Sequence, residues 1–171
     1  MPKIIENLPQ RLKTEAWQQI RESGYSAMTI RSVAKSCGVG VGTVYNYFPS
    51  KEALVAAFML EDWEKCIVRI QSVADSARDC EPVLWEIHER LLEFAEQYAP
   101  IFQDETAALS FSGSFSPYHK MLCNQLAKPI RRFCRNDFAA EFVAEALLIW
   151  TVRGVSFDEL LNLLKPILQK P

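Results

Sequence analysis

Residues 29–51 read TIRSVAKSCGVGVGTVYNYFPSK, from Thr29 to Lys51, and the architecture turns on them. Ile30, Val33, Ala34 and Cys37 recur at helical spacing on one face, and Thr29 just before them is a good N-cap. Gly38 ends that helix, because a glycine takes up the left-handed conformation that turns a chain sharply. Val41 to Phe48 then form a second helix with Val44 and Phe48 facing inward, Pro49 forbids its continuation, and Ser50 caps the helix that follows. Two short helices joined by a tight turn make a helix-turn-helix. The outward face of the second helix carries Thr43, Tyr45, Asn46 and Tyr47, which supply hydroxyls and an amide but no carboxylate, so it suits a polyanion. Gly40 and Gly42 leave the backbone bare where this helix starts, and its free amides are available to phosphates or base edges. Lys51 in the first turn of the next helix opposes the helix dipole, a placement that makes sense if an external phosphate lies between them.

Working outward, Leu12, Ala16 and Ile20 recur every four residues, so Pro9 to Ser23 reads as a first helix stopped by Gly24 and laid over the helix-turn-helix. From Ser50 the apolar positions Leu54, Val55, Phe58, Met59, Trp63, Ile67 and Ile70 keep helical spacing to about Asp75, which predicts one long helix bridging a head to a body. A loop follows over Ser76 to Glu81. Val83 to Tyr98 make an amphipathic helix ending at Pro100, and a shorter one runs through Ile101, Phe102, Ala108 and Leu109. Phe111 to Pro117 reads as a loop. Tyr118, Leu122, Leu126, Ile130 and Phe133 define a further helix, interrupted or kinked at Pro129. No strand pattern or internal repeat is present. The expected fold is all-α, with a helix-turn-helix domain over residues 1–55 and a helical bundle over 56–171 for ligand binding and dimerisation.

Charge follows the same division. The whole chain of 171 residues carries a formal charge of −2, yet residues 1–55 hold seven Lys/Arg against four Glu while the rest is acidic. A basic head that meets phosphate and an acidic body that stays off it are the reading. Five cysteines without a CxxC pair fit a reducing compartment, and neither a signal segment nor a membrane-length apolar run stands out, so the protein is expected to be cytoplasmic and off the membrane.

These residues carry a family resemblance. Gly24-Tyr25, Thr29-Ile30, Val33-Ala34, Gly38-Val39, Gly42-Thr43-Val44-Tyr45, Tyr47-Phe48 and Lys51-Glu52-Ala53-Leu54 resemble the DNA-binding domain of the TetR/AcrR family of bacterial transcriptional regulators, over roughly Leu12 to Phe58. Gly40 and Tyr47 depart from the family's usual serine or threonine and histidine. The resemblance implies a dimeric repressor that leaves double-stranded operator DNA when its C-terminal domain takes up a small molecule or other signal. It places base or near-base contacts on Arg31, Val41, Gly42 and Thr43, and phosphate contacts on Tyr45, Tyr47 and Lys51. Thr29, Gly40 and Asn46 complete the expected DNA-facing set.

In the body, Trp63, Trp85, Tyr98, Phe102, Phe111, Phe115, Tyr118 and His119 are candidates to line a pocket for an apolar or amphipathic ligand. Its walls would be the bridging helix, the Val83 helix and the Tyr118 helix. The last two helices are apolar on more than one face, so Phe142, Ala146, Trp150, Phe157, Leu160, Leu161 and Leu164 are expected to pair with their copies in a homodimer. His88 and His119 lack a partner at ligand spacing, and no nucleophile-base or phosphate-cradling motif stands out, so neither an enzyme nor a metal or other cofactor is expected. The rival readings are an accessory or architectural DNA-binding protein answering to a partner protein or to nothing, and an enzyme in which the helix-turn-helix is only structural.

Overall fold

In the computed structural model, which describes residues 7–107 and 115–168 and leaves aside the side chains of 115–117, every regular element is a helix. The chain divides into two compact units. One holds the residues up to Asp62 and those from Tyr98 to 107, and the other holds Trp63–Gln97 and the residues from 115 onward.

The first unit is built on α1 (Leu8–Ser23), α2 (Ile30–Cys37), α3 (Val41–Tyr47) and the first part of α4 (Lys51–Ser76). Leu12, Ala16 and Ile20 of α1 are buried with Ile30, Val33, Ala34, Val44, Leu54 and Val55, so the three-helix core forms from the apolar stripes read above. Thr29 caps α2 as expected. Its hydroxyl accepts from the Ser32 amide at 3.0 Å while the Ser32 hydroxyl accepts from the Thr29 amide at 3.1 Å, a reciprocal arrangement. The four-residue α6 (Ala99–Phe102) also belongs here, and Tyr98 packs against Trp17 and Phe58 with ring centroids 5.0 and 6.0 Å away. The Tyr98 hydroxyl donates to Asp62 at 2.7 Å, and the Lys13 ammonium is paired with Glu61. Beyond α6, Asp104 accepts from the amides of Thr106 and Ala107 at 2.9 and 3.0 Å and starts a helical turn at 105–107. The same carboxylate accepts from the amide and hydroxyl of Ser26 in the loop before α2.

The second unit contains the rest of α4, α5 (Glu81–Gln97), α7 (Phe115–Ile130), α8 (Asp137–Val152) and α9 (Phe157–Leu168). α8 lies at its centre, packed against α5, α7 and α9, and it buries Ala139, Ala140, Val143, Ala144, Leu147 and Thr151. Asn136 caps it through the Ala139 amide at 2.8 Å. α7 begins at Phe115, so the end of the expected loop is helical, while Ala108, Leu109 and Phe111 lie outside the described residues. α7 ends at Ile130 and passes into a 3₁₀ turn, Arg131–Phe133, one residue beyond Pro129, whose missing N–H deprives the helix of one bond there.

Packing turns part of the expected dimer set inward. Phe157, Leu160, Leu161 and Leu164 of α9 are buried in the core of their own unit against α5 and α8, and Leu163 is the large apolar side chain that α9 exposes. The face with the most apolar residues turns inward because it removes the most hydrocarbon from water. On α8 the reverse holds for Phe142, about half exposed beside the exposed Phe138, and for Trp150 about two turns further along, also about half exposed, with Ala146 half-buried between them.

Asp104 supplies a test of the first unit. The Ala107 amide above all, with the Ser26 and Thr106 donors, holds its carboxyl below the usual Asp value. A carboxyl lowered by folding stabilises the fold above the ordinary Asp value of about 3.9, and the contribution is lost as pH falls through the lower folded value. The melting temperature of Asp104→Asn is expected to fall less steeply with acid below about pH 4 than that of the parent chain. Identical acid limbs would contradict the role given to these bonds.

Candidate nucleic-acid interface

The turn between α2 and α3 is set by Gly38, whose φ of 70° lies in the left-handed region and whose amide bonds back to α2. A side chain there meets no steric neighbour, so the strain of a substitution is in the backbone alone. Gly40 is the N-cap of α3 in extended conformation and offers no side chain to its first amides. Gly42 has ordinary backbone angles, and a Cβ on it would touch nothing within 4 Å. Internal packing therefore gives no reason for glycine at 42, whereas close approach by an outside surface does. Tyr45, Asn46 and Tyr47 are exposed, the two tyrosines at 49 and 50 %, and Val41 and Thr43 are half-buried beside the buried Val44.

A groove of about 570 Å³ opens on this unit and gathers Thr29, Arg31, Val41, Tyr45 and Lys51 from the expected set, together with Ser26, Pro49 and Ser50. Lys51 is held in place there. Its ammonium donates to the Tyr25 carbonyl at 2.6 Å and lies 3.9 Å from the centre of the Tyr25 ring. Burial pulls its pKa down, against the opposing pull of Glu52 and Asp104. Glu52, which also lines the groove, is raised by burial, but bonds from its own amide and the hydroxyls of Ser50 and Tyr25 outweigh this and hold it below the usual value. Sequence reasoning used Tyr25 and Glu52 as motif residues but gave them no place in the DNA-facing set. Their signal was available in position, since Glu52 stands beside Lys51 and Tyr25 follows the helix-stopping Gly24.

The expected ligand-pocket residues are divided between the two units. Tyr98 and Phe102 belong to the first unit, whereas Trp63, Trp85, Tyr118 and His119 belong to the second. Trp63 is a buried core residue whose ring nitrogen donates to Gln125 at 2.7 Å and whose ring meets Phe94 edge-on at 5.5 Å. Trp85 is half exposed and packs edge-on against Phe157 at 4.9 Å. Phe111 and the side chain of Phe115 fall outside the described residues. What the second unit does offer is an open groove of about 590 Å³ between α4 and α7, lined by Ile67, Val68 and Gln71 on one side and Gln125, Lys128 and Pro129 on the other. His88 is buried, with its Nε2 3.3 Å from the Val155 carbonyl. Burial first, then the bond and charge of Glu145, push the Cys123 thiol up to about 12.

Residues 14–58 match the model of bacterial regulatory proteins, tetR family. The HTH-type transcriptional regulator UidR of Escherichia coli K12 is 34% identical over 61 residues, which cover 36% of this chain and 31% of UidR. The HTH-type transcriptional repressor KstR of Rhodococcus jostii is 30% identical over 103 residues, covering 52% of this chain and 49% of KstR. The chain thus spans between about a third and a half of these curated relatives. The fold extends further than the sequence likeness: the crystal structure of transcriptional regulator SCO7518 from Streptomyces coelicolor A3(2) superposes with a TM-score of 0.68 at 15% identity, over 94% of this chain and 98% of that one. Among the described residues no helix is long and apolar enough to cross a membrane.

The two glycines of the motif are expected to answer differently to alanine. Gly38→Ala costs about 1–2 kcal/mol, the usual penalty of left-handed backbone for an L-residue. Gly42→Ala is neutral or stabilising by up to about 1 kcal/mol, because alanine is the better helix former and nothing stands in its way. Urea unfolding of the two variants measures both, and equal losses would remove the argument that Gly42 is kept for an external surface.

Proposed function

We propose that this chain, which belongs through its head to the TetR family of bacterial regulatory proteins, is a homodimeric transcriptional repressor that binds operator DNA and releases it when a small ligand occupies the body. The observation that carries the reading is the outer face of α3, with exposed Tyr45, Asn46 and Tyr47, a bare Gly42 and no carboxylate, in a head matched by the family model. Arg31, Val41, Gly42 and Thr43 read base edges in this proposal, while Tyr45, Tyr47 and Lys51 meet phosphate. The Tyr25 carbonyl and ring support the Lys51 role, since they hold a cation at the groove before DNA arrives.

A single helix-turn-helix makes few contacts, and two copies reach successive major grooves when their recognition helices lie about 34–36 Å apart. The exposed apolar residues of α8, Phe138, Phe142 and Trp150, support pairing of this face with its copy, and Leu163 of α9 adds to it. The signal is an apolar or amphipathic small molecule, and the groove between α4 and α7 is where it would enter. α4 runs unbroken from Lys51 to Ser76, so a ligand that tilts it moves Lys51 and the recognition helix without touching DNA. Taking the head from 99% competent to 1% requires about 5.5 kcal/mol of differential affinity, and operator DNA must then weaken ligand binding by the same factor.

Selection from random duplexes followed by fluorescence anisotropy tests the reading. A specific duplex is expected, and members of a panel of fatty acids, steroids and aliphatic amphiphiles should release it. Specific binding that no compound releases would favour an accessory protein controlled by a partner protein or by no ligand. Lys51→Ala is expected to weaken all duplexes alike and to make the salt dependence shallower by about one unit, whereas Arg31→Ala changes which sequence is preferred, at about 1–3 kcal/mol per base contact. An unchanged salt slope would take Lys51 out of the phosphate set. Sedimentation separates the apolar faces: Trp150→Glu is expected to give a folded monomer without tight operator binding, while Leu161→Glu, buried in its own core, unfolds the second unit. A Trp150→Glu dimer would overturn the proposed interface.

A further inference from the structure

Outside the head, one group of side chains in the second unit combines three metal-binding chemistries. His119 and Cys123 are four residues apart on α7 and share a face of that helix, and Glu145 reaches them from the neighbouring α8. Their ligand atoms all lie within 4.8 Å of one another. The His119 Nε2 is 2.7 Å from Glu145 Oε1, the Cys123 Sγ donates to Glu145 Oε2 at 2.8 Å, and Sγ and Nε2 are 3.6 Å apart.

We propose that His119, Cys123 and Glu145 bind a divalent transition metal, with zinc the ion that best suits one nitrogen, one sulfur and one oxygen donor. The distances favour it. Zinc bonds of about 2.3 Å to sulfur and 2.0–2.2 Å to nitrogen and oxygen, at tetrahedral angles, put neighbouring ligand atoms about 3.4–3.6 Å apart. The sulfur-nitrogen edge already has that length, Nε2 and Sγ are each hydrogen-bonded to a different oxygen of Glu145 at less than about 1 Å short of a zinc edge, and with one ligand atom from each residue all three atoms lie within 4.8 Å. The ion takes the place of those bonds: the thiol proton leaves to water, and Nε2, Sγ and a carboxylate oxygen turn to the metal. Mixed donors of this kind select zinc over calcium or magnesium, which take oxygen alone. Access is built in, since the thiol is buried while His119 and Glu145 are half exposed, and water completes the fourth position. The assignment does not depend on the regulator reading, and it does add a clamp between α7 and α8.

The test uses the full chain stripped with a chelator and then titrated with Co(II) and Zn(II). Cobalt is expected to give the visible bands of a tetrahedral ion and an ultraviolet thiolate-to-cobalt band, both removed by equimolar zinc, and zinc is expected to raise the melting temperature. Cys123→Ser should abolish the ultraviolet band, and Cys80→Ser should keep it. His119→Gln and Glu145→Gln should each weaken zinc about tenfold or more, with circular dichroism showing the fold intact. A thiolate band that survives in Cys123→Ser, no band in the parent chain, or zinc affinity unchanged in both other variants would overturn the site.

Discussion

The head hangs together on a buried ring. Tyr98 is almost wholly buried, stacked with Phe58, tilted against Trp17, and tied through its hydroxyl to Asp62. Each aromatic pair contributes about 0.5–1.5 kcal/mol beyond its area, and the hydroxyl bond to a carboxylate adds to that. Trp17 lies on α1 and Phe58 on α4, their rings meet directly at 5.7 Å, and the ring of a residue far along the chain closes this contact into a three-ring cluster that helps to set the angle between the two helices flanking the helix-turn-helix. Once that angle is fixed, α2 and α3 have a floor to rest on, and Lys51 has its place beside Tyr25. The outer face of α3 is then left with no packing duty, which is why polar and aromatic groups can stand exposed on it.

In the second unit the constraint is different. α8 is apolar nearly all round, and three helices pack on it, yet Phe138 and Phe142 still stand outside that packing. Thr151 shows how dry the inner face is: its hydroxyl is fully buried and lacks a hydrogen-bond partner among the described residues. Apolar surface on both sides of one helix is stable only with cover on both sides. The chain supplies one cover itself through α5, α7 and α9.

Local chemistry was legible in the sequence wherever it needed no distant partner. The Thr29 cap, the left-handed Gly38, the stop at Pro49 and the long run of α4 all follow from residue type and spacing. The inward turn of Leu160, Leu161 and Leu164 was not, because periodicity shows that a helix has two apolar faces without saying which neighbour claims which. Tyr98 was read as a pocket aromatic, for nothing near residue 98 announces that Trp17 is its partner. His119 was read as lacking a ligand neighbour, although Cys123 one turn later was a visible signal. Glu145 was beyond reach, since only the packing of α8 on α7 brings a carboxylate from 22 residues past the cysteine into hydrogen-bond range.

The head is also discontinuous, with Asp62 and Tyr98 separated by a segment that belongs to the other unit. A ribosome adding about 5–20 residues each second takes roughly 2–7 s to go from one to the other. Throughout that interval the Trp17 and Phe58 rings, which meet directly at 5.7 Å, lack the Tyr98 ring that completes their cluster, and Ser26 has no Asp104 to bond. The order in which the polypeptide emerges therefore delays a finished head until the whole of α5 has been made. Anyone grafting this head onto another body must carry two separate pieces of chain across, because a cut after Asp62 discards its keystone.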